Sequence, residues 1–355
     1  MRNRVSLETD NFRRRVGLIG RLLGLFVAVW GGGGCGPSQP EVVVYCALDA
    51  EFAQPILDEF QRQSGIRVLA KFDVESTKTV GLANALIAEA NRPRADIFWN
   101  NEIIHTTRLA RLGLLAPYEP VRADEYPAEF RAADHTWHGF AARARVLLVN
   151  TQLVAENERP RRLDDLTAAQ WRGTIGIAKP LFGTTATHAA CLFAKWGEAR
   201  TQKFFRQLKQ NEVQILAGNK PVAQAVSAGR IAIGLTDTDD AIAEVEAGHP
   251  VAIVYPDRGP SDEGTLFIPN TLAVIRDAPH RAAAEQLVDF LLSPEVERKL
   301  AVGPSAQIPL HPAAQDAARI ATPATIKPLT VDFKLAGELW ESTARFLREE
   351  FTGGP

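Results

Sequence analysis

Short apolar runs that alternate with amphipathic segments constrain the fold of this chain more than any other feature. The run "EVVVYCAL" (41–48) is β-branched and short, which is typical of a buried strand. The segment "DAEFAQPILDEFQRQSG" (49–65) follows with apolar residues at helical spacing and ends on a glycine, which indicates a helix. Strands that alternate with helices predict a parallel sheet covered by helices, an α/β fold. The alternation continues with strands at 66–73 and 95–100 and helices at 76–92 and 102–115.

Two longer extended segments, at 141–149 and 265–275, separate this first set of elements from a second set of strands and helices. A chain that leaves one lobe, builds another and returns makes two crossings, which form a hinge beside a cleft. We therefore expect two lobes, each with a mixed, mostly parallel sheet flanked by helices, joined by a two-stranded hinge. The first lobe would comprise 41–142 and 270–355, and the second would comprise 143–269.

The composition fits such a fold and argues against one class of partner. The chain has 355 residues, of which 46% are hydrophobic and 23% charged, so it can bury a full core. Its formal net charge is -2 and it carries no basic stripe, which argues against nucleic acid as a partner.

The first forty residues differ from the rest and predict a secretory signal with a lipoprotein linker. Arginines precede the apolar segment 16–30, and "GGGGCG" follows it with Cys35 behind small residues. The apolar segment is short and is interrupted by Arg21, which argues against a membrane span. We expect Cys35 to carry a lipid on the periplasmic or extracytoplasmic side of the membrane; a non-cleaved anchor would give the same location. Whether Cys46 and Cys191 form a disulfide is left open.

Five carboxylates follow predicted strands, at the sheet edge where α/β proteins bind ligands. Hard metal cations take carboxylate oxygen, and a desolvated ammonium group would want the same partners. A third interpretation is that Asp237 caps a helix and the next two acids lie favourably in its first turn. The five are Asp49, Glu102, Asp237, Asp239 and Asp240, and the metal ligands would be Asp49, Glu102, Asp239 and Asp240.

A second group of side chains suits an anion. Ser76, Thr77, Thr184 and Thr185 lie where helices are predicted to begin, and backbone N–H groups there attract anions. Arg143 lies on a predicted hinge segment, where it could contact a ligand or form an ion pair between the lobes. Ser76 and Thr77 could equally be plain helix caps.

No motif of an enzyme is found in the sequence. Neither a Gly-x-Ser-x-Gly elbow nor a His-Glu-x-x-His helix occurs. We expect no catalytic residues and no cofactor; a metal, if bound, would be the transported ligand.

Several segments together resemble the periplasmic solute-binding proteins of ABC transporters, in the branch of the ferric-ion, thiamine and aminoethylphosphonate binders. They include "VVVYCALDAEFAQPILDEFQRQSGIRV", "RADIFWNNEIIHTTRLARLGLLAPY" and "GNKPVAQAVSAGRIAIGLTDTDDA", and the resemblance covers about 41–315. It implies a type II periplasmic binding fold that closes over a small solute. It also implies a monomer that delivers the solute to a permease and its ATPase.

The resemblance also implies ligand residues, with departures. Asp239 and Asp240 stand where the ferric-ion binders have two adjacent tyrosines, and Asp49 stands at or near a histidine position. A glutamate position falls at Asn101 or Glu102. Asn219, Thr184 and Thr185 match residues that bind the accompanying anion. The expected solute is ferric iron or another metal with a partner anion. The alternative is an organic cation or zwitterion such as thiamine, a polyamine or aminoethylphosphonate.

Overall fold

The computed structural model describes residues 39–73 and 80–352, and this part of the chain holds ten strands and ten α-helices. Among these residues, no helix is long and apolar enough to cross a membrane. The strands are β1 (Glu41–Cys46), β2 (Arg67–Phe72), β3 (Ile97–Asn100), β4 (Leu115–Ala116), β5 (His138–Asn150), β6 (Ile175–Ala178), β7 (Gln214–Leu216), β8 (Ile233–Asp237), β9 (Val251–Val254) and β10 (Phe267–Ile275). The helices are α1 (Ala50–Ser64), α2 (Val80–Ala88), α3 (Ile104–Arg111), α4 (Gly183–Trp196), α5 (Glu198–Gln210), α6 (Asn219–Ser227), α7 (Thr238–Glu246), α8 (Arg281–Leu291), α9 (Pro294–Val302) and α10 (Phe333–Thr352).

Helix α1 shows how the local sequence sets these elements. Its apolar residues Ile56, Leu57 and Phe60 are buried on one face. The helix ends at Gly65, whose φ of 73° is a left-handed conformation that glycine adopts without steric cost. The chain then turns directly into β2, which pairs in parallel with β1.

The sheet has two groups of parallel strands on either side of an antiparallel pair. Its strand order is β2-β1-β3-β10-β5-β8-β6-β7, with β4 beside β10 and β9 beside β5. Strands β1, β2 and β3 run parallel, as do β6, β7 and β8. Strands β5 and β10 pair antiparallel with each other and connect the two groups. The predicted α/β fold with two lobes and a two-stranded hinge is confirmed.

The last helix packs against both groups of strands. Phe333 and Trp340, in its first half, belong to the core around β1 and β3. Phe346 and Leu347, near its end, belong to the core around β6 and β8. We propose the lobe boundaries at 143 and 269 as stated above, with α10 in contact with both lobes.

Cys46 and Cys191 are both buried and carry free thiols. Burial raises the pKa of each thiol above its ordinary value. The two cysteines therefore do not form a disulfide, and their protonated thiols are poor nucleophiles.

A buried carboxylate on α9 binds the backbone of the hinge strand β5. Ala141, within β5, has a left-handed φ of 43°. The Glu297 carboxylate on α9 accepts hydrogen bonds from the backbone N–H of Ala141 at 2.6 Å, of Leu310 at 3.1 Å and of His311 at 2.7 Å. Burial raises the pKa of Glu297 to about 7, against the opposing effect of these three donors.

This raised pKa predicts a contribution of Glu297 to the pH dependence of stability. Between its ordinary value of 4.5 and about 7, the folded protein keeps a proton that the unfolded chain releases. The free energy of unfolding should therefore fall as the pH rises through this window. Urea denaturation at several pH values should show a smaller fall for Glu297→Gln than for the parent protein.

The matched control is Glu295→Gln, an exposed glutamate on the same helix. The free energy of unfolding of this control should depend on pH in the same way as that of the parent protein between pH 4.5 and about 7. An unchanged pH dependence in Glu297→Gln would show that Glu297 is ionised in the folded state.

Candidate ligand-binding site

A cavity of about 300 Å³ lies where the carboxyl ends of β6, β7 and β8 meet elements that follow β1 and β3. Parallel strands end at the same edge of a sheet, so the residues after them lie close together. From the β6–β8 side the lining comprises Ala178, Phe182, Gly183, Thr184, Thr185, Gly218, Asn219, Lys220, Asp237, Asp239, Asp240 and Ala243. The other lining residues are Asp49, Glu51, Phe52, Asn101, Arg143, Pro304 and Ser305.

The wall of the cavity is organised by a buried ion pair. Arg145 on β5 lies directly opposite Asp237 on β8 in the strand register. Its Nη1 atom lies 2.6 Å from Oδ1 of Asp237, and both side chains are buried. Thr184 donates a hydrogen bond to Oδ2 of the same carboxylate, and Asn219 Nδ2 donates another at 2.8 Å. The pair thus ties α4 and α6 to two strands, and the charge of Asp237 is already balanced.

His188 extends this network. Its Nδ1 atom accepts a hydrogen bond from Arg145 Nε at 3.4 Å. Burial and the charge of Arg145 hold the pKa of His188 well below its ordinary value. The imidazole is therefore neutral and acts as an acceptor towards Arg145.

The structure changes the expected role of Asp237 and specifies the position of two threonines. Asp237 does stand at the start of α7, but its side chain makes no capping bond, because Arg145, Thr184 and Asn219 hold it. Thr184 and Thr185 lie in the first turn of α4, which begins at Gly183, as expected for residues at a helix start.

Three aspartates form the acidic side of the cavity. One carboxylate oxygen from each of Asp237, Asp239 and Asp240 lies within 4.8 Å of the others. Arg143 Nε lies 3.4 Å from Oδ2 of Asp239. Burial alone lowers the pKa of the Arg143 guanidinium, but the surrounding carboxylates, led by Asp239, raise it above its ordinary value. Arg143 therefore stays charged inside the cavity.

Asp49 lies across the cavity from this cluster, at the start of α1. The lining therefore contains carboxylates from both sides of the hinge. Carboxylate oxygens at this spacing are suitable ligands for a hard cation.

Glu102 is not part of the cavity, which corrects the prediction that it is a metal ligand. It is 1% exposed. Its oxygens accept hydrogen bonds from the N–H groups of Ile104 at 2.5 Å and His105 at 3.0 Å, in the first turn of α3. Thr187 on α4 donates a further bond of 2.6 Å. The preceding residue, Asn101, lines the cavity instead.

Three of the predicted residues cannot be placed. Cys35, Ser76 and Thr77 lie outside the residues that the structure describes.

Some lining residues were missed by the sequence patterns. Phe52 and Ser305 line the cavity, and no sequence pattern indicated them. Lys220 lines it too, as expected from its position after a predicted strand. The side-chain oxygen of Asn101 is buried without a hydrogen-bond partner among the described residues. Such an acceptor is satisfied when a ligand or a water molecule reaches it.

The fold and the cavity define a class: two-lobed binding proteins that hold a ligand between the lobes. Solved structures with this fold include iron-bound HitA from Pseudomonas aeruginosa, with a TM-score of 0.79 and 24% identity over 88% of this chain and 99% of that one. Another is AfuA from Actinobacillus pleuropneumoniae with bound fructose-6-phosphate, with a TM-score of 0.74 and 22% identity over 89% and 99% of the two chains.

The sequence comparison gives the family. The profile of the family "Bacterial extracellular solute-binding protein" matches residues 95–334, and the chain belongs to this family. The major ferric iron-binding protein of Neisseria meningitidis serogroup A is 27% identical over 280 residues, which are 78% of this chain and 82% of that protein. The Fe(3+)-binding periplasmic protein of Serratia marcescens is 26% identical over 55% of this chain and 56% of that protein.

The buried ion pair predicts a strong coupling between its two members. Arg145→Met should lower the free energy of unfolding by about 3–5 kcal/mol, because it leaves the Asp237 carboxylate buried without its counter-ion. In urea denaturation, the double variant Arg145→Met/Asp237→Asn should be more stable than Arg145→Met alone. The exposed pair Arg172–Glu212 provides a control, and Arg172→Met should cost no more than about 1 kcal/mol. Additive losses in the double variant would contradict this account of the pair.

Proposed function

We propose that this chain is the extracytoplasmic solute-binding component of an ABC importer and captures ferric iron, or another metal ion, together with a partner anion. The family assignment supports the binding role, and the named relatives point to iron as the cargo. The metal is the transported solute, so the protein needs no cofactor and performs no catalytic step.

The charge of the cavity carries the proposal. Its lining contains five carboxylates, those of Asp49, Glu51, Asp237, Asp239 and Asp240. Among the residues that the structure describes, the cationic side chains of Arg143 and Lys220 also line it. Asp237 is balanced by Arg145, and within the described part of the lining four further carboxylates stand beside two cations. An acidic cavity of this kind attracts cations and repels free anions.

Asp239 and Asp240 are proposed as the principal metal ligands, with Asp49 from the other side of the hinge. All three residues supply oxygen donors. Like tyrosinate oxygens, these carboxylate oxygens are negatively charged and hard, so they are suitable ligands for a ferric ion. The replacement of the tyrosine pair by two aspartates is therefore a change of ligand type that keeps the donor atom.

The partner anion would be held beside the acidic cluster, where Thr184 and Asn219 donate hydrogen bonds to Asp237. The first turns of α4 and α6 lie there, with Thr184, Thr185, Asn219 and Lys220. Helix N-termini and a lysine ammonium favour negative charge. An anion at this place would complete the coordination of the metal and offset part of its charge.

Transport requires that binding changes the shape of the protein. Ligand contacts to both sides of the cavity would stabilise the closed arrangement of the two lobes and shift the population towards it. The closed protein would then deliver its solute to the permease and ATPase subunits. We propose that it acts as a monomer, held at the membrane by a lipid on Cys35.

A second candidate is an organic cation or zwitterion. Phe52 and Phe182 line the cavity together with the acids, and aromatic faces favour an organic ammonium group. Lys220 and the helix N-termini would then bind a phosphate or phosphonate group of the same molecule.

The two candidates predict different results in one experiment. The purified protein and the variant Asp239→Asn/Asp240→Asn are dialysed against ferric citrate, and bound iron is measured by elemental mass spectrometry. We expect at least a tenfold loss of iron affinity in the variant, because two of the three proposed ligands lose their charge. The control Glu244→Gln/Glu246→Gln removes the same charge from the same helix and should bind iron like the parent protein.

Native mass spectrometry of the protein as purified completes the test. The second candidate would be supported by two results together. The parent protein would carry an organic mass that Asp239→Asn/Asp240→Asn lacks, and the parent protein would bind no iron in dialysis. If Asp239→Asn/Asp240→Asn binds iron as well as the control variant does, the metal is bound by other residues.

A further inference from the structure

A second cleft of about 500 Å³ lies beside β9 and shares no residue with the cavity described above. Its walls come from two chain segments, one before β6 and one that comprises the end of β9 and the residues after it. The lining residues are Glu156, Arg159, Pro160, Arg161, Ile253, Val254, Tyr255, Arg258, Gly259 and Asp262.

Three arginines dominate this cleft. Within residues 39–73 and 80–352, the guanidinium groups of Arg159, Arg161 and Arg258 form no ion pair. The Nε atom of Arg159 is buried and has no hydrogen-bond partner in the part of the chain that the structure describes. A buried guanidinium N–H without an acceptor is costly, and a bound anion would supply that acceptor.

The acids near the cleft are already engaged. Asp262 accepts a hydrogen bond of 2.8 Å from Nε of Arg162, a neighbour outside the lining. Asp164 and Glu263 both pair with Arg200. Glu156 is the remaining carboxylate of the lining, so the three unpaired arginines leave the cleft positively charged.

Backbone hydrogen bonds hold the two walls together. The N–H of Asp257 donates to the carbonyl of Arg161 at 2.8 Å, and the Asp257 carboxylate accepts from the N–H of Leu163 at 3.2 Å. Within the second wall, the N–H of Gly259 donates to the Asp262 carboxylate at 3.0 Å. The segments that carry the arginines are therefore fixed relative to each other before any ligand binds, which lowers the entropic cost of binding.

We infer that this cleft binds a phosphate group, either as free phosphate or as the headgroup of an anionic phospholipid. Guanidinium groups pair with phosphate through parallel N–H···O bonds. A phosphate group has enough oxygen atoms to bind three guanidinium groups, whereas a carboxylate has two oxygen atoms. The apolar side chains of Ile253 and Val254 beside the arginines accommodate the organic part of a phosphate ester.

Inorganic phosphate is the first probe. Isothermal titration at low ionic strength compares the parent protein with Arg159→Gln/Arg161→Gln/Arg258→Gln. The triple variant should lose one bound phosphate per chain, or at least tenfold in affinity at that site. The control Arg67→Gln/Arg172→Gln/Arg276→Gln removes three exposed arginines elsewhere and should change the affinity less than twofold.

Vesicles distinguish the two sources of the phosphate. Co-sedimentation with phosphatidylglycerol vesicles, lost in the cleft variant and kept in the control, would identify the headgroup as ligand. Binding of inorganic phosphate in the titration, without binding to vesicles, would identify free phosphate as the ligand. Equal behaviour of the cleft variant and the control in both assays would overturn the inference. Iron binding by the cleft variant should match the parent protein, so this test is independent of the proposed function.

Discussion

The ion pair between Arg145 and Asp237 is the interaction on which the arrangement of the binding site depends. Two opposite charges are buried at one position of the β5–β8 register. Four neighbouring polar side chains complete their hydrogen bonds, those of Thr184, Thr185, His188 and Asn219. Burial of charges is unfavourable unless they are paired in this way. The pair therefore requires β5, β8, α4 and α6 to meet in one geometry, and that geometry forms one wall of the cavity.

The same pair divides the acids of the cavity into two roles. Asp237 is a structural carboxylate, since Arg145, Thr184 and Asn219 hold both of its oxygens. Asp239 and Asp240 follow it on α7 and line the cavity. One strand end thus supplies both the residue that fixes the wall and the residues proposed to bind the solute. The β5–β10 hinge brings Asp49 and Asn101 to the opposite wall, so a bound solute would contact both lobes.

Local sequence patterns were sufficient for most of the fold. The β-branched run of β1, the amphipathic spacing of α1 and the glycine that ends it depend on neighbours along the chain, and each was predicted close to its observed bounds. The hinge strands were predicted for the same reason. The sequence did not indicate that α10 packs against two cores, because that packing depends on contacts far away in sequence.

The site was predicted less completely than the fold. Asp49, Asp239 and Asp240 line the cavity because the ends of parallel strands converge, which follows from topology. Glu102 also follows a strand, but the N–H groups of α3 and the Thr187 hydroxyl bind its carboxylate. No pattern distinguishes a glutamate that caps a helix from one that faces a ligand. The partner of Arg145 depends on the register between β5 and β8, which a single sequence does not reveal.

The most direct test of the proposed metal site is X-ray diffraction from crystals grown with ferric citrate, with data collected above and below the iron absorption edge. The account predicts one anomalous peak in the cavity, within coordination distance of the Asp239 and Asp240 carboxylates, with Asp237 still bonded to Arg145. A peak outside this cavity, or an organic molecule in place of iron between the same aspartates, would contradict it.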